Sequence, residues 1–140
     1  MKKILLILLF AFSLFAAEID DYAKEMNFHR DYTLALNEAK KVGKPLMLLI
    51  GADNCPWCRK LERRTIAAKE IKARLGEVVT VIMDQNFDAD KFPPEFSSPR
   101  TPSIFFIDPK NGKHFRESVG YLKKNEFSAL LDMVKKEFKK

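Results

Sequence analysis

Both cysteines of the chain fall in Cys55-Pro56-Trp57-Cys58, between the apolar run Leu46 to Ile50 and the helix-forming run Arg59 to Arg64. If a helix starts here, positions i and i+3 lie one above the other on one face, so the two sulfurs can close a small disulfide ring. The first sulfur then sits where a helix leaves its N–H groups unpaired, and that partial positive charge favours a thiolate. Cys55 is therefore the expected nucleophile, and Cys58, one turn in, the more buried resolving thiol. Pro56 takes a first-turn position, where a missing N–H costs nothing. Arg59 and Lys60 either add positive charge near the motif or form ordinary solvated helix surface.

Other uses of two cysteines fit less well. A zinc site needs two further ligands, and His29 and His114 lack ligand spacing. A c-type haem site needs histidine directly after the second cysteine, where Arg59 stands. A purely structural bridge gains little from closing so short a loop. Neither a metal nor an organic cofactor is therefore expected, only a redox-active Cys55–Cys58 disulfide.

Met1-Lys2-Lys3, the apolar run Ile4 to Phe15 and Ala16-Ala17 read as a signal peptide over residues 1–17. The run is too short to span a bilayer comfortably. Leu14 or Phe15 falls where a small residue is preferred at the cleavage site, so an uncleaved N-terminal anchor stays open. No stable membrane insertion is expected after cleavage. Export places the chain in a periplasmic or otherwise secreted, oxidising setting, where a lone CxxC pair points to active redox chemistry. Loss of Lys2 and Lys3 leaves 23 basic against 19 acidic residues, a charge of +4. That balance is too mild and scattered to argue for nucleic acid.

Roughly 120 residues then remain, enough for one compact domain. Residues 18–29 read as a polar, mobile lead-in. Asp31 can cap a helix to about Val42, with Leu34, Leu36 and Ala39 as its apolar positions and Gly43 ending it. Leu46 to Ile50 reads as a central strand covered on both faces. Leu61, Thr65, Ile71 and Leu75 continue a helix from the dithiol, with a break near Ala67-Ala68. Val78 to Met83 is a second buried strand. This βαβ unit puts the dithiol at the carboxyl end of its first strand, where open α/β sheets place their sites. The proline-containing stretch 84–100 reads mostly as loop. Ser103 to Ile107 and His114 to Val119 form a hairpin, and Phe127, Leu130, Leu131, Val134 and Phe138 mark a final helix.

This order, the CPWC motif and Thr101-Pro102 ahead of a strand together resemble a thioredoxin fold over about residues 30 to 138. Gly43-Lys44-Pro45-Leu46-Met47, Cys58-Arg59-Lys60-Leu61-Glu62, Thr101 to Asp108 and Gly120-Tyr121 are similar to secreted thioredoxin-like proteins. Among these is the C-terminal periplasmic domain of the membrane thiol-disulfide interchange reductase. The resemblance implies an α/β, thioredoxin-like domain over 30–140, with a mixed central sheet of about four strands flanked by helices. It implies a cis Pro102 facing the dithiol and a Thr101 backbone that pairs with an extended substrate strand. Trp57, Thr101 and Pro102 are then the expected substrate-binding residues, with Pro56, Asp53 and Arg59 in support.

Two departures stand out. Leu49 replaces the buried aspartate of the general cytosolic reductants, so proton transfer at Cys58 needs another route, through water or Asp53. Asn54 replaces the tryptophan those proteins carry before the first cysteine. The expected activity is an exported thiol-disulfide oxidoreductase acting on protein disulfides or dithiols as a monomer. Its leading direction is reduction, with a membrane-embedded electron donor. An oxidase or isomerase, and a non-enzymatic thiol-dependent metal-binding or chaperone-like module, are the alternatives.

Overall fold

The computed structural model describes residues 18–139; the expected signal peptide lies outside them. Four strands form one mixed sheet in the order β2-β1-β3-β4. The central strand β1 (Leu46–Gly51) is buried along its whole length. It pairs in parallel with β2 (Val79–Asp84) and antiparallel with β3 (Ser103–Asp108). The hairpin closes as β3 pairs antiparallel with β4 (Lys113–Val119).

Alternation along β1 divides the core in two. Leu46, Leu48 and Ile50 face α2 (Tyr32–Val42), with Tyr32, Ala35, Ala39, Val81, Met83, Phe96 and Phe105. Met47 and Leu49 face the opposite layer, with Leu61, Ile66, Ile71, Ile82, Phe106 and four residues of α5 (Lys124–Phe138). Two-sided burial is why the strand reads as an unbroken apolar run. The far end of α5 meets the foot of β1, where Phe138 and Val134 line an apolar recess with Gly43, Lys44 and Pro45.

α2 is bounded as its sequence predicts. The Asp31 carboxylate accepts the Leu34 N–H at 2.9 Å, and Gly43 adopts φ 68°, a left-handed conformation that favours glycine. Of the expected apolar positions Ala39 is buried and Leu36 packs partly buried on the same layer, whereas Leu34 is 61% exposed and Tyr32 and Ala35 complete the buried face. Tyr32 carries the large apolar contact at the start of the helix and packs on Phe96.

The mobile lead-in is not observed. Residues 18–26 form a helix, α1, which buries Ala23 and Met26 and packs Ile19 and Tyr22 against the α5-side core. Those four positions follow the i, i+4, i+7 pattern of an amphipathic stripe, with Tyr22 at i+3. After α1, His29 forms a parallel bridge with Val81, donating its N–H to Thr80 O and accepting from Ile82 N. This short pairing covers the β2 edge, which the sheet alone leaves open. Arg30 fastens it by donating to Ile82 O at 2.6 Å and to Asp88 at 2.9 Å.

The helix after the dithiol has three parts. α3 (Pro56–Lys60) runs into a π-helical segment, Leu61–Ile66. The chain breaks at Ala67-Ala68 and resumes as α4 (Lys69–Lys72). Among the described residues no helix is long and apolar enough to cross a membrane.

Candidate active site

β1 ends at Gly51 and a short loop delivers Cys55, which caps α3. Cys55 and Cys58 form a disulfide, with Cα atoms 5.3 Å apart. Cys55 is partly exposed and Cys58 is buried. The capping contact is made by sulfur: Cys55 Sγ accepts the Cys58 N–H at 3.2 Å. Pro56 is the first helical residue, as its missing donor predicts. Gly51 lies beneath the motif, where a Cβ would make ordinary contact with Cys58 Sγ at 3.8 Å and Arg59 at 3.9 Å.

The loop before β3 faces the first sulfur. The Thr101–Pro102 peptide bond is cis. The Thr101 hydroxyl donates toward Cys55 Sγ at 3.3 Å, and Thr101 O lies 3.7 Å from the same sulfur. A disulfide sulfur carries no proton, so only the reduced thiol can donate to that carbonyl. Pro102 O is held by the Gly120 N–H at 2.8 Å, which ties this loop to Tyr121. Trp57 is 56% exposed and its ring centroid lies 5.8 Å from that of Tyr121. Lys60 Nζ sits 4.8 Å from the centroid of each ring, close enough for both cation–π contacts. Lys60 is thus part of an aromatic surface beside the dithiol.

Arg59 turns the other way. Its guanidinium is 3.1 Å from Glu62 and 3.8 Å from Glu18, so its positive charge is already answered. Asp53 is exposed and lines, with Ala52 and Arg59, a cleft of about 540 Å³ between the start of α1 and the end of β2. The structure therefore brings Cys55, Cys58, Pro56, Trp57, Thr101 and Pro102 together and leaves Asp53 and Arg59 on the cleft flank.

Sequence reasoning missed Glu62 as a functional candidate. Burial pushes its carboxyl up to about 7, with Arg59 pulling the other way. It is 5% exposed and lies one turn beyond Cys58. It sits beside the buried Leu61, in a segment whose Thr65 and Ile66 are also buried, and only that burial marks it. With Leu49 apolar and buried, Glu62 is the buried carboxyl closest along the helix to the Cys58 sulfur. Tyr22 donates to Glu62 O at 3.4 Å, and its phenol is raised by burial and by the Glu62 carboxylate.

No group of three or more His, Cys, Asp or Glu residues is placed to hold a metal among the described residues. His29 pairs with Glu38, while His114 packs against Phe96 and Phe105. The two histidines that a zinc reading would recruit are thus committed elsewhere.

A CxxC pair capping a helix at the carboxyl end of a central strand, with a cis-proline loop against its first sulfur, defines a thiol-disulfide oxidoreductase of thioredoxin-like architecture. The chain matches the thioredoxin-like domain model over residues 32–135 and belongs to that family. It is 28% identical over 120 residues to the thiol:disulfide interchange protein DsbD of Actinobacillus pleuropneumoniae, covering 80% of this chain and 20% of that protein. The chain thus spans about a fifth of the length of the curated relatives it matches.

Solved structures share the fold. A thioredoxin from Thermus thermophilus matches with a TM-score of 0.67 at 21% identity, over 75% of this chain and 84% of that one. The oxidised DsbD C-terminal domain of Neisseria meningitidis matches with a TM-score of 0.57 at 16% identity, over 76% and 98% respectively.

Proposed function

We propose that this protein is an exported reductase of protein disulfides. The observation that carries the reading is the Cys55–Cys58 disulfide with Thr101 and cis-Pro102 against its outer sulfur. Backbone groups beside a cis-proline leave a short edge for an extended substrate to pair with, and main-chain pairing tolerates many sequences.

In the reduced protein, the Cys55 thiolate attacks one sulfur of the substrate disulfide. A Cys55–substrate disulfide forms, and the other substrate sulfur leaves as a thiolate and takes a proton. Cys58 then loses its proton and attacks Cys55 Sγ, releasing the second substrate thiolate and closing the disulfide described above. We assign the Cys58 proton to Glu62, the buried carboxyl four residues further along the helix, which burial pushes up to about 7. Each turnover leaves the protein oxidised by two electrons. Outside the cytosol those electrons need a separate donor, and we assign this role to a membrane-embedded dithiol protein. The Lys2-Lys3 pair and the apolar run after it support export.

Direction follows from how strongly the Cys55 thiolate is stabilised. The Cys58 N–H and the Thr101 hydroxyl favour it, whereas an ionised Glu62 opposes it. A moderately lowered thiol pKa belongs to reductants, and a very acidic one to oxidants. A glutathione redox titration is expected to give a potential nearer about −270 mV than about −120 mV. A value above about −160 mV would replace the reductase reading with the oxidase.

A further inference from the structure

The two flanks of the dithiol differ in charge. On the cleft flank the cations are paired: Arg59 with Glu62 and Glu18, Arg30 with Asp20 and Asp88, and Lys91 with Asp88. On the aromatic flank Lys60, Arg64, Arg100 and Lys123 are exposed. None of these four forms a side-chain ion pair among the described residues. The nearby Glu126 carboxylate is engaged by the Lys123 N–H at 2.7 Å.

One of these cations is placed on the aromatic surface by contact, and the other three adjoin residues tied to it. Lys60 lies over Trp57 and Tyr121. Thr65, next to Arg64, donates to Leu122 O at 2.6 Å and so holds the segment carrying Tyr121 and Lys123 against the dithiol helix. Arg100 directly precedes Thr101, whose hydroxyl touches Cys55 Sγ. With no carboxylate paired to any of the four, this flank carries unanswered positive charge, which favours a bound anion. The faces of both rings already hold one ammonium, so a second cation gains little there.

We propose that this flank docks an extended protein segment carrying carboxylates beside its reactive disulfide, so that the enzyme selects acidic clients. The Trp57–Tyr121 surface supplies a flat apolar floor next to Cys55, and Lys60, Arg64 and Arg100 supply the field that draws and orients the segment. The proposal rests on the disulfide-exchange reading above and adds the chemistry of the substrate.

The test uses full-length protein, pre-reduced and freed of reductant, in single turnover against three peptides. Each peptide holds one internal disulfide and differs only in its flanks: two glutamates, two glutamines or two lysines. At low ionic strength the acidic peptide is expected to react on the order of tenfold faster than the basic one. The ratio should fall toward one in about 0.5 M salt, where the Debye length is a few ångströms. The variant Lys60→Gln with Arg64→Gln should lower the ratio at low salt, a readout unaffected by any change in the dithiol itself. Equal rates for all three peptides, or a ratio indifferent to salt, would overturn the acidic-client proposal and leave the reductase reading standing. Reduction of none of them would overturn both. Binding to anionic-lipid vesicles without peptide selectivity would assign the flank to a membrane surface and also overturn the proposal.

Discussion

Cys55 and Cys58 have the same side chain in different surroundings, and the roles proposed for them rest on that difference. Cys55 Sγ is partly exposed and receives two donors, whereas Cys58 is 2% exposed behind it. Cys58→Ser is expected to accumulate mixed disulfides on Cys55, visible as high-mass adducts under non-reducing conditions, and Cys55→Ser to accumulate none. Equal adducts from both variants would reverse the assignment. Glu62 gives a second prediction. Its folded pKa, about 7, lies above the ordinary carboxylate value of 4.5. Its contribution to stability is therefore greatest below about pH 4.5, falls as pH rises toward 7, and levels off above that. Glu62→Gln should gain on the wild type between pH 5 and pH 8 by on the order of 1–3 kcal/mol in denaturant unfolding. It should also slow release of the second substrate thiolate. A stability difference independent of pH would show that Glu62 titrates normally. The dithiol was legible in the sequence because its spacing is a covalent requirement. Glu62, to which proton handling was assigned above as a proposal, was not, because Asp53 and Glu62 are both acidic residues near the motif and only tertiary burial separates them.

At the scale of elements, α1 and the dithiol helix exceed what local pattern conveyed. Met26→Ala should destabilise the protein by about 2–4 kcal/mol in chemical denaturation, as expected for a large side chain lost from a packed core. A mobile lead-in would give almost no change. Asp31→Ala should cost about 1 kcal/mol by removing the carboxylate that caps α2. The stripe Ile19, Tyr22, Ala23 and Met26 was present in the sequence, but the acidic residues between these positions and the shortness of the segment disguised it. The break at Ala67-Ala68 was readable from the change of helical phase. The π register of Leu61–Ile66 was not, because nothing in the pattern of apolar residues distinguishes one extra residue per turn over so short a run. The register shows as the i→i−5 bond from the Ala67 N–H to Glu62 O at 3.0 Å, and the tertiary contact beside it is the Thr65 hydroxyl donating to Leu122 O.

For the molecule as a whole, the architecture was legible because strand, helix and strand in this order leave few ways to bury two apolar strands. The proposed direction of reaction gives a prediction at this scale. The folded state of a reductant favours the disulfide, so the oxidised form should unfold at a higher denaturant concentration than the reduced form. The reverse order would place the protein among the oxidants. The described chain also enters and leaves the fold at opposite ends of β1. Glu18 reaches Arg59 beside the dithiol, while Phe138 lines a recess with Pro45 at the strand's foot. Six strand residues hold these ends about 20 Å apart. The start of α1 therefore stands on the cleft flank beside the dithiol helix. On a bead or sensor surface, attachment through the far end of α5 turns the sulfurs toward the solution, and attachment through α1 turns them toward the support.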